Sequence, residues 1–144
     1  MKSHSKVAII GGGIMGISLL YHLTKEGWSD IVLIEKGELT SGSTWHAAGQ
    51  CPHFVGSYNS AKIHNYSNKL YQELEKETGQ STGWHGCGSI RLALKQEDVN
   101  WFHYVKGILD NVGSPAEIIS KKKILDLHPF LKIDDALCGL YTPE

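Results

Sequence analysis

Apolar positions change their spacing from segment to segment along this chain, and the changes predict alternating strands and helices. Val7-Ala8-Ile9-Ile10 and Ile31-Val32-Leu33-Ile34 are short continuous apolar runs. Such runs suit parallel strands covered on both faces, where each buried Val or Ile contributes roughly 1.5–3 kcal/mol. Between them Ile14, Ile17, Leu20 and Leu23, with Leu19 beside them, recur at helical spacing to about Lys25, and Gly27 marks a stop.

Farther on, Ile63, Tyr66, Leu70, Tyr71 and Leu74 share one side of a helix running from Ala61 to Thr78 and stopped by Gly79. In residues 88–94, Ile90, Leu92 and Leu94 alternate with Arg91 and Ala93, the period of a half-exposed strand. Phe102, Val105, Ile108, Leu109 and Val112 mark a further helix, closed by Gly113, Ser114 and Pro115. A strand over 116–119, a helix opened by Ser120 as N-cap and closed before Pro129, and a strand over 136–141 complete the pattern. Lys121, Lys122 and Lys123 sit in the first turn of that last helix and read as a solvated basic face.

The fold class is α/β, a Rossmann-like βαβ unit with additional helices and short strands. Only two strands have the continuous apolar character of a buried parallel sheet, fewer than an open nucleotide-binding sheet needs to support itself. The expectation is that residues 1–144 form the N-terminal part of a nucleotide-binding domain in a larger two-domain protein. Substrate-binding residues are then expected outside this chain, which by itself would not turn over substrate.

The first strand leads straight into Gly11-Gly12-Gly13-Ile14-Met15-Gly16, a G-x-G-x-x-G sequence. Gly11 allows the tight turn, Gly13 lets the backbone approach a pyrophosphate, and Gly16 permits close packing of helix on strand. The helix N-terminus then offers unpaired N–H groups to phosphate oxygens. Glu35 closes the second strand about twenty residues on, where a ribose hydroxyl needs an acceptor and where a 2′-phosphate is disfavoured. A strand before the glycines, a helix after them and an acid at that distance point together to a dinucleotide.

Composition narrows the partners. Apolar residues make up 41% and charged residues 20%, with a net charge of −1, so nothing favours nucleic acid or an anionic membrane. No apolar run is long enough to span a bilayer. The leader Met1-Lys2-Ser3-His4-Ser5-Lys6 has no apolar core for secretion, and a cytoplasmic location is the default expectation, or the mitochondrial matrix in a eukaryote, although no transit peptide is seen. Cys51, Cys87 and Cys138 lie far apart and are expected to be free thiols. Of the eight histidines, His46 and His53 are near one another without an acidic partner between them, and no metal site is expected.

The most informative stretch is Gly42-Ser43-Thr44-Trp45-His46-Ala47-Ala48-Gly49, which begins seven residues past Glu35. Together with residues 7–16, Leu33-Ile34-Glu35-Lys36, Leu39-Thr40-Ser41, Glu77-Thr78-Gly79 and Gly88-Ser89-Ile90-Arg91-Leu92-Ala93, it resembles the N-terminal part of the dimethylglycine dehydrogenase and sarcosine dehydrogenase group. That group belongs to the D-amino-acid-oxidase-like FAD oxidoreductases, and the similarity runs from about Val7 to the last residue.

The resemblance implies an FAD-binding domain and oxidative N-demethylation of a small N-methylated glycine derivative. It implies that His46 carries the flavin through the 8α-methyl carbon. It further implies that Ile14, Met15, Glu35, Lys36, Gly42, Ser43, Thr44, Trp45, His46, Ala47, Ala48, Gly49 and Gln50 line the adenosine, pyrophosphate and isoalloxazine portions. The electron acceptor would be oxygen or an electron-transfer flavoprotein, and tetrahydrofolate would enter only through a further C-terminal domain.

Residue chemistry agrees with the anchor. Attack on an electrophilic methyl carbon needs a neutral imidazole, and an unperturbed histidine is mostly neutral at pH 7. Ser43 and Thr44 can donate to pyrophosphate oxygens, while the small residues around them let the backbone approach the cofactor. A buried, hydrogen-bonded His46 beside a freely exchanging FAD is the alternative for this loop. Trp45 reads as a packing residue. Arg91 could face a substrate carboxylate, although on a half-exposed strand solvation is the simpler reading. His53, His64, His85 and His103 receive no role. Rival readings for the whole are a regulatory or interaction subunit that keeps the fold, and an NAD-dependent dehydrogenase, which leaves residues 42–49 unexplained.

Overall fold

A computed structural model describes residues 3–143, so Met1, Lys2 and Glu144 lie outside the described residues. The chain divides into two compact units, Met1–Gln50 and Cys51–Glu144.

In the first unit, strand β1 (Val7–Ile10), helix α1 (Ile14–Lys25) and strand β2 (Ile31–Ile34) form the expected crossover. The strands pair in parallel, with Val7 opposite Ile31 and Ile10 opposite Ile34. Gly27, with φ +84°, ends the helix as expected. The expectation that both faces of these strands are buried is not met. Ile9 is 5% exposed, whereas Ile10 is 87% and Ile34 53% exposed, and α1 contains no fully buried residue. Side chains alternate along a strand, so Ile9 faces α1 near Gly16, and Ile10 points to the opposite side, which no element of this unit covers.

The second unit holds α2 (Tyr58–Thr78), β3 (Ser89–Ala93), α3 (Gln96–Val112), β4 (Glu117–Ile119), α4 (Lys121–Leu127) and β5 (Cys138–Thr142). Its antiparallel sheet has the order β3-β5-β4, with Arg91 opposite Leu140 and Ile118 opposite Leu140 from the other side. Ala61, Ala93, Phe102, Val105, Leu109 and Leu140 form one core. Ile119, Ile124, Ile133 and Ala136 form another, with Ile90 and Leu92 packed against it. Gly139 lies where a Cβ would press on Ile119 and Ile124.

Every element of this unit was expected, but several details differ. Helix α3 begins at Gln96 because the Asp98 carboxylate accepts from the N–H groups of Leu94 and Lys95, satisfying donors ahead of the first turn. At the end of β3, Ala93 is fully buried, and Leu94, just past the strand, is 61% exposed, the reverse of the expected alternation at these positions, because Ala93 packs with Phe102, Val105 and Leu109 of α3. On α2 the buried positions are Ala61 and Asn68, while Ile63 and Tyr66 of the predicted apolar side are 66% and 52% exposed. Ser120 caps α4 through the N–H of Lys123, as expected, and the three lysines are exposed. Among the described residues, no helix is long and apolar enough to cross a membrane.

Candidate functional site

The glycine loop is built by sterics. Gly11 has φ +104°, a conformation that side-chain-bearing residues avoid, and its N–H donates to the Ile34 carbonyl at 2.8 Å, extending the parallel ladder by one bond. A Cβ at Gly16 would overlap the Gly11 carbonyl oxygen, so helix and loop approach more closely than any other residue permits. These are the roles expected of the two glycines. Gly13 is the N-cap of α1 and has no side chain to cap it.

Three contacts buckle this loop to the segment that follows β2. Glu35 Oε2 accepts from the Gly12 N–H at 2.6 Å and Oε1 from the Gly37 N–H at 2.9 Å. The Gly12 N–H, and after it that of Gly37, hold the carboxyl below the usual carboxylate range. Thr40, in a left-handed conformation with φ 66°, donates its N–H to the Gly12 carbonyl at 2.9 Å. Thr44 Oγ1 accepts from the N–H of Ile14 at 2.9 Å, capping α1 from thirty residues away. Sequence reasoning missed Thr40, as well as Leu39, whose side chain lies over Gly12. A positive φ at threonine leaves no signal in sequence, because threonine disfavours it.

From Thr40 the chain runs through successive tight turns. Trp45 N–H donates to the carbonyls of Thr40 and Gly42, His46 N–H to Ser43, and Ala47 N–H to Thr44, at 3.0–3.3 Å. The imidazole of His46 turns back on this run, with Nδ1 at 2.9 Å from the Gly42 carbonyl oxygen. A carbonyl only accepts, so Nδ1 carries the hydrogen, and in the neutral ring Nε2 then carries the lone pair. His46 is exposed within its unit. Trp45 is 79% exposed and is not a packing residue of its unit, because the turn directs it outward. Met15, Lys36, Gly42, Ser43, Ala47, Ala48, Gly49 and Gln50 are also exposed.

The structure therefore brings the glycine loop, Ile14, Glu35 and Thr44 into one short array of bonded or closely approaching groups, while His46 lies two residues past Thr44 and bonds to Gly42 and Ser43 within its own turn. These residues fit a dinucleotide: a glycine cradle with no room for a Cβ at Gly16, a carboxylate at the end of β2, and a hydroxyl at the helix N-terminus.

The second unit contains a different cluster that sequence reasoning passed over. His53, Asn68 and Ser114 are 3%, 3% and 2% exposed. Asn68 Nδ2 lies 2.9 Å from His53 Nε2 and 3.1 Å from the Cys51 carbonyl, and Ser114 Oγ lies 3.2 Å from His53 Nδ1. The three residues are far apart in sequence, so no local pattern reveals them. Arg91 lies over the Phe54 ring, 4.2 Å from its centroid, a packing role that the substrate reading did not foresee. Among the described residues, no group of three or more His, Cys, Asp or Glu could hold a metal ion.

An array of this kind on a βαβ crossover defines a dinucleotide-binding unit, and the chain belongs to the FAD dependent oxidoreductase family, whose model matches residues 6–144. That membership removes the NAD-dependent dehydrogenase reading. Its similarity to particular proteins is high: it is 49% identical over 142 residues to the mitochondrial dimethylglycine dehydrogenase of Rattus norvegicus, covering 99% of this chain and 17% of the relative. It is 46% identical over 144 residues to the mitochondrial pyruvate dehydrogenase phosphatase regulatory subunit of Mus musculus, covering 100% and 16%. Among solved structures, L-proline dehydrogenase from P. horikoshii superposes with a TM-score of 0.89 at 24% identity, over 99% of this chain and 37% of that one, which shows the fold. The resemblance to dimethylglycine and sarcosine dehydrogenases holds along the whole chain.

Proposed function

We propose that this chain is the N-terminal part of an FAD-binding domain in an enzyme that oxidatively N-demethylates a small N-methylated glycine derivative, with the FAD attached to His46. The observation that carries the reading is the His46 imidazole, exposed and held through Nδ1 by the Gly42 carbonyl, so that Nε2 is presented as the nucleophile. Similarity to the rat dimethylglycine dehydrogenase supports the substrate class. The chain spans about 17% of that relative's length, and the complete reaction is assigned to the whole protein.

Bound in this array, the isoalloxazine supplies a two-electron sink for a C–H bond beside nitrogen. The chain's own residues bind and orient. Glu35 has lone pairs left to accept ribose hydroxyls after serving Gly12 and Gly37, and the first-turn N–H groups of Met15 and Gly16, of the kind an α-helix leaves without an internal partner, would hold the phosphate oxygens. In the covalent form His46 would hold the isoalloxazine at its 8α carbon through Nε2, with the ring oriented by the bond from Nδ1 to the Gly42 carbonyl. During turnover the electrons go to oxygen or an electron-transfer flavoprotein. Tetrahydrofolate, as acceptor of the one-carbon unit, belongs to residues beyond this chain. The compartment that goes with this reading is the mitochondrial matrix in a eukaryote and the cytoplasm otherwise.

A second reading, a regulatory subunit that keeps the fold, is favoured by the similarity to the mouse phosphatase regulatory subunit. Acid precipitation of the purified full-length protein separates the two. Yellow colour retained in the pellet, and lost in His46→Ala, supports the enzyme; a colourless protein with no turnover of N-methylated amines supports the regulatory subunit.

A further inference from the structure

We propose that Thr44 is the positioning residue that registers His46 on the cofactor, an inference that rests on the covalent reading above. A hydroxyl both accepts and donates. Thr44 Oγ1 already accepts from the Ile14 N–H at 2.9 Å, which fixes where the oxygen stands at the mouth of α1 and leaves its own hydrogen to donate. The pyrophosphate is expected at that same helix N-terminus, so the hydroxyl bridges helix and phosphate.

The bridge reaches His46 through rigid backbone. Thr44 is held in a run of turns in which Ala47 N–H donates to the Thr44 carbonyl, and His46 N–H to that of Ser43. The imidazole itself is tied to Gly42. The nucleophilic nitrogen is thus two residues from an oxygen anchored on α1, with bonded turns on either side. Gly13 belongs to the same device: a Cβ there would stand 3.1 Å from Thr44 Oγ1, so glycine leaves room for the hydroxyl to seat. Bond formation at the 8α carbon demands alignment, and loss of alignment by about 1 Å costs on the order of 100-fold in rate.

The test follows covalent incorporation of FAD into full-length apoprotein at saturating FAD, read as in-gel flavin fluorescence after acid denaturation. Reversible FAD affinity is measured alongside by flavin fluorescence quenching. Thr44→Val is expected to keep saturable binding but to slow incorporation by roughly 10- to 100-fold. Thr44→Ser, which keeps the hydroxyl, is expected to restore the rate to within a few-fold. Equal rates for Thr44→Val and the unaltered protein at saturation would overturn the proposal. So would a Val variant that loses bound FAD while the fraction that becomes covalent is unchanged, since Thr44 would then only cap the helix. If the Val variant does not fold, Thr44→Ala carries the same comparison. An unaltered protein that binds FAD and never forms an adduct overturns the underlying reading and this proposal together, whereas an adduct that forms equally well without the hydroxyl removes the proposal alone.

Discussion

The two units of this chain are held in order by different physics. Among the described residues, Ile9 is the buried apolar residue of the first unit, and the others lie in the second. The first unit is ordered by the parallel ladder, by the steric demands of Gly11 and Gly16, and by hydrogen bonds that Glu35 and Thr44 accept from the Gly12 and Ile14 N–H groups and that Thr40 donates to the Gly12 carbonyl. The second is a packed core on both sides of a small sheet, tied by the buried His53, Asn68 and Ser114. The unit that carries the candidate chemistry keeps its polar groups and His46 at the surface, where a ligand can reach them; the other resembles an ordinary domain interior. Chemistry at a ligand-binding loop needs exposed groups held still, and backbone hydrogen bonds hold them without covering them.

The largest effect should come from the exposed side of this contrast. His46→Ala is expected to abolish covalent flavin completely in full-length protein while leaving its melting temperature almost unchanged, as seen by calorimetry and acid-stable flavin absorbance. A large loss of stability would mean that His46 is structural and would blur the contrast.

Next comes the packed side. Leu109→Ala removes a side chain that is fully buried among Phe102, Val105 and Leu140, and it should cost about 2–5 kcal/mol in chemical denaturation of the second unit. Asn68→Ala leaves His53 Nε2 and the Cys51 carbonyl without their shared donor and should cost about 1–3 kcal/mol. If Asn68→Ala proved neutral, the buried polar cluster would be filler rather than a tie.

Smaller still is the effect expected at the loop buckle. The Glu35 carboxyl titrates below its usual range because the charged form accepts from Gly12 and Gly37. A group whose folded pKa is lowered adds stability above its unfolded pKa and loses it as pH falls through the lowered value. Hydrogen exchange of the Gly12 amide should therefore be well protected at neutral pH and lose protection only in acid, below the ordinary carboxylate range. Glu35→Gln should abolish that pH dependence. The smallest effect is at the thiols: burial pushes the Cys51 thiol up, so it should be alkylated more slowly at neutral pH than the exposed Cys87.

Local chemistry made much of this legible. Continuous apolar runs bracketing a helical period, glycines at fixed offsets and an acid at the end of β2 specify a βαβ unit because each constrains the backbone within a few residues. Gly27, Gly79, Gly113 and Ser120 end or open helices where they were expected to, for the same local reason. The errors fell where the answer depends on what lies across space. A hydrophobic period on α2 could not say that Ala61 and Asn68, rather than Ile63 and Tyr66, would be covered.

The sequence by itself determined the order and type of the elements and the glycine loop, and it singled out His46 as the candidate anchor, since propensity, spacing and residue chemistry are local properties. Only the tertiary structure decided that Thr40 and Thr44 clamp the glycine loop, that His46 presents Nε2, that Trp45 stands outside and that His53 lies in the interior. Each of those is settled by a partner that is distant in sequence or by a backbone turn, and neither a hydrogen bond's direction nor a side chain's burial exists until the chain has folded back on itself.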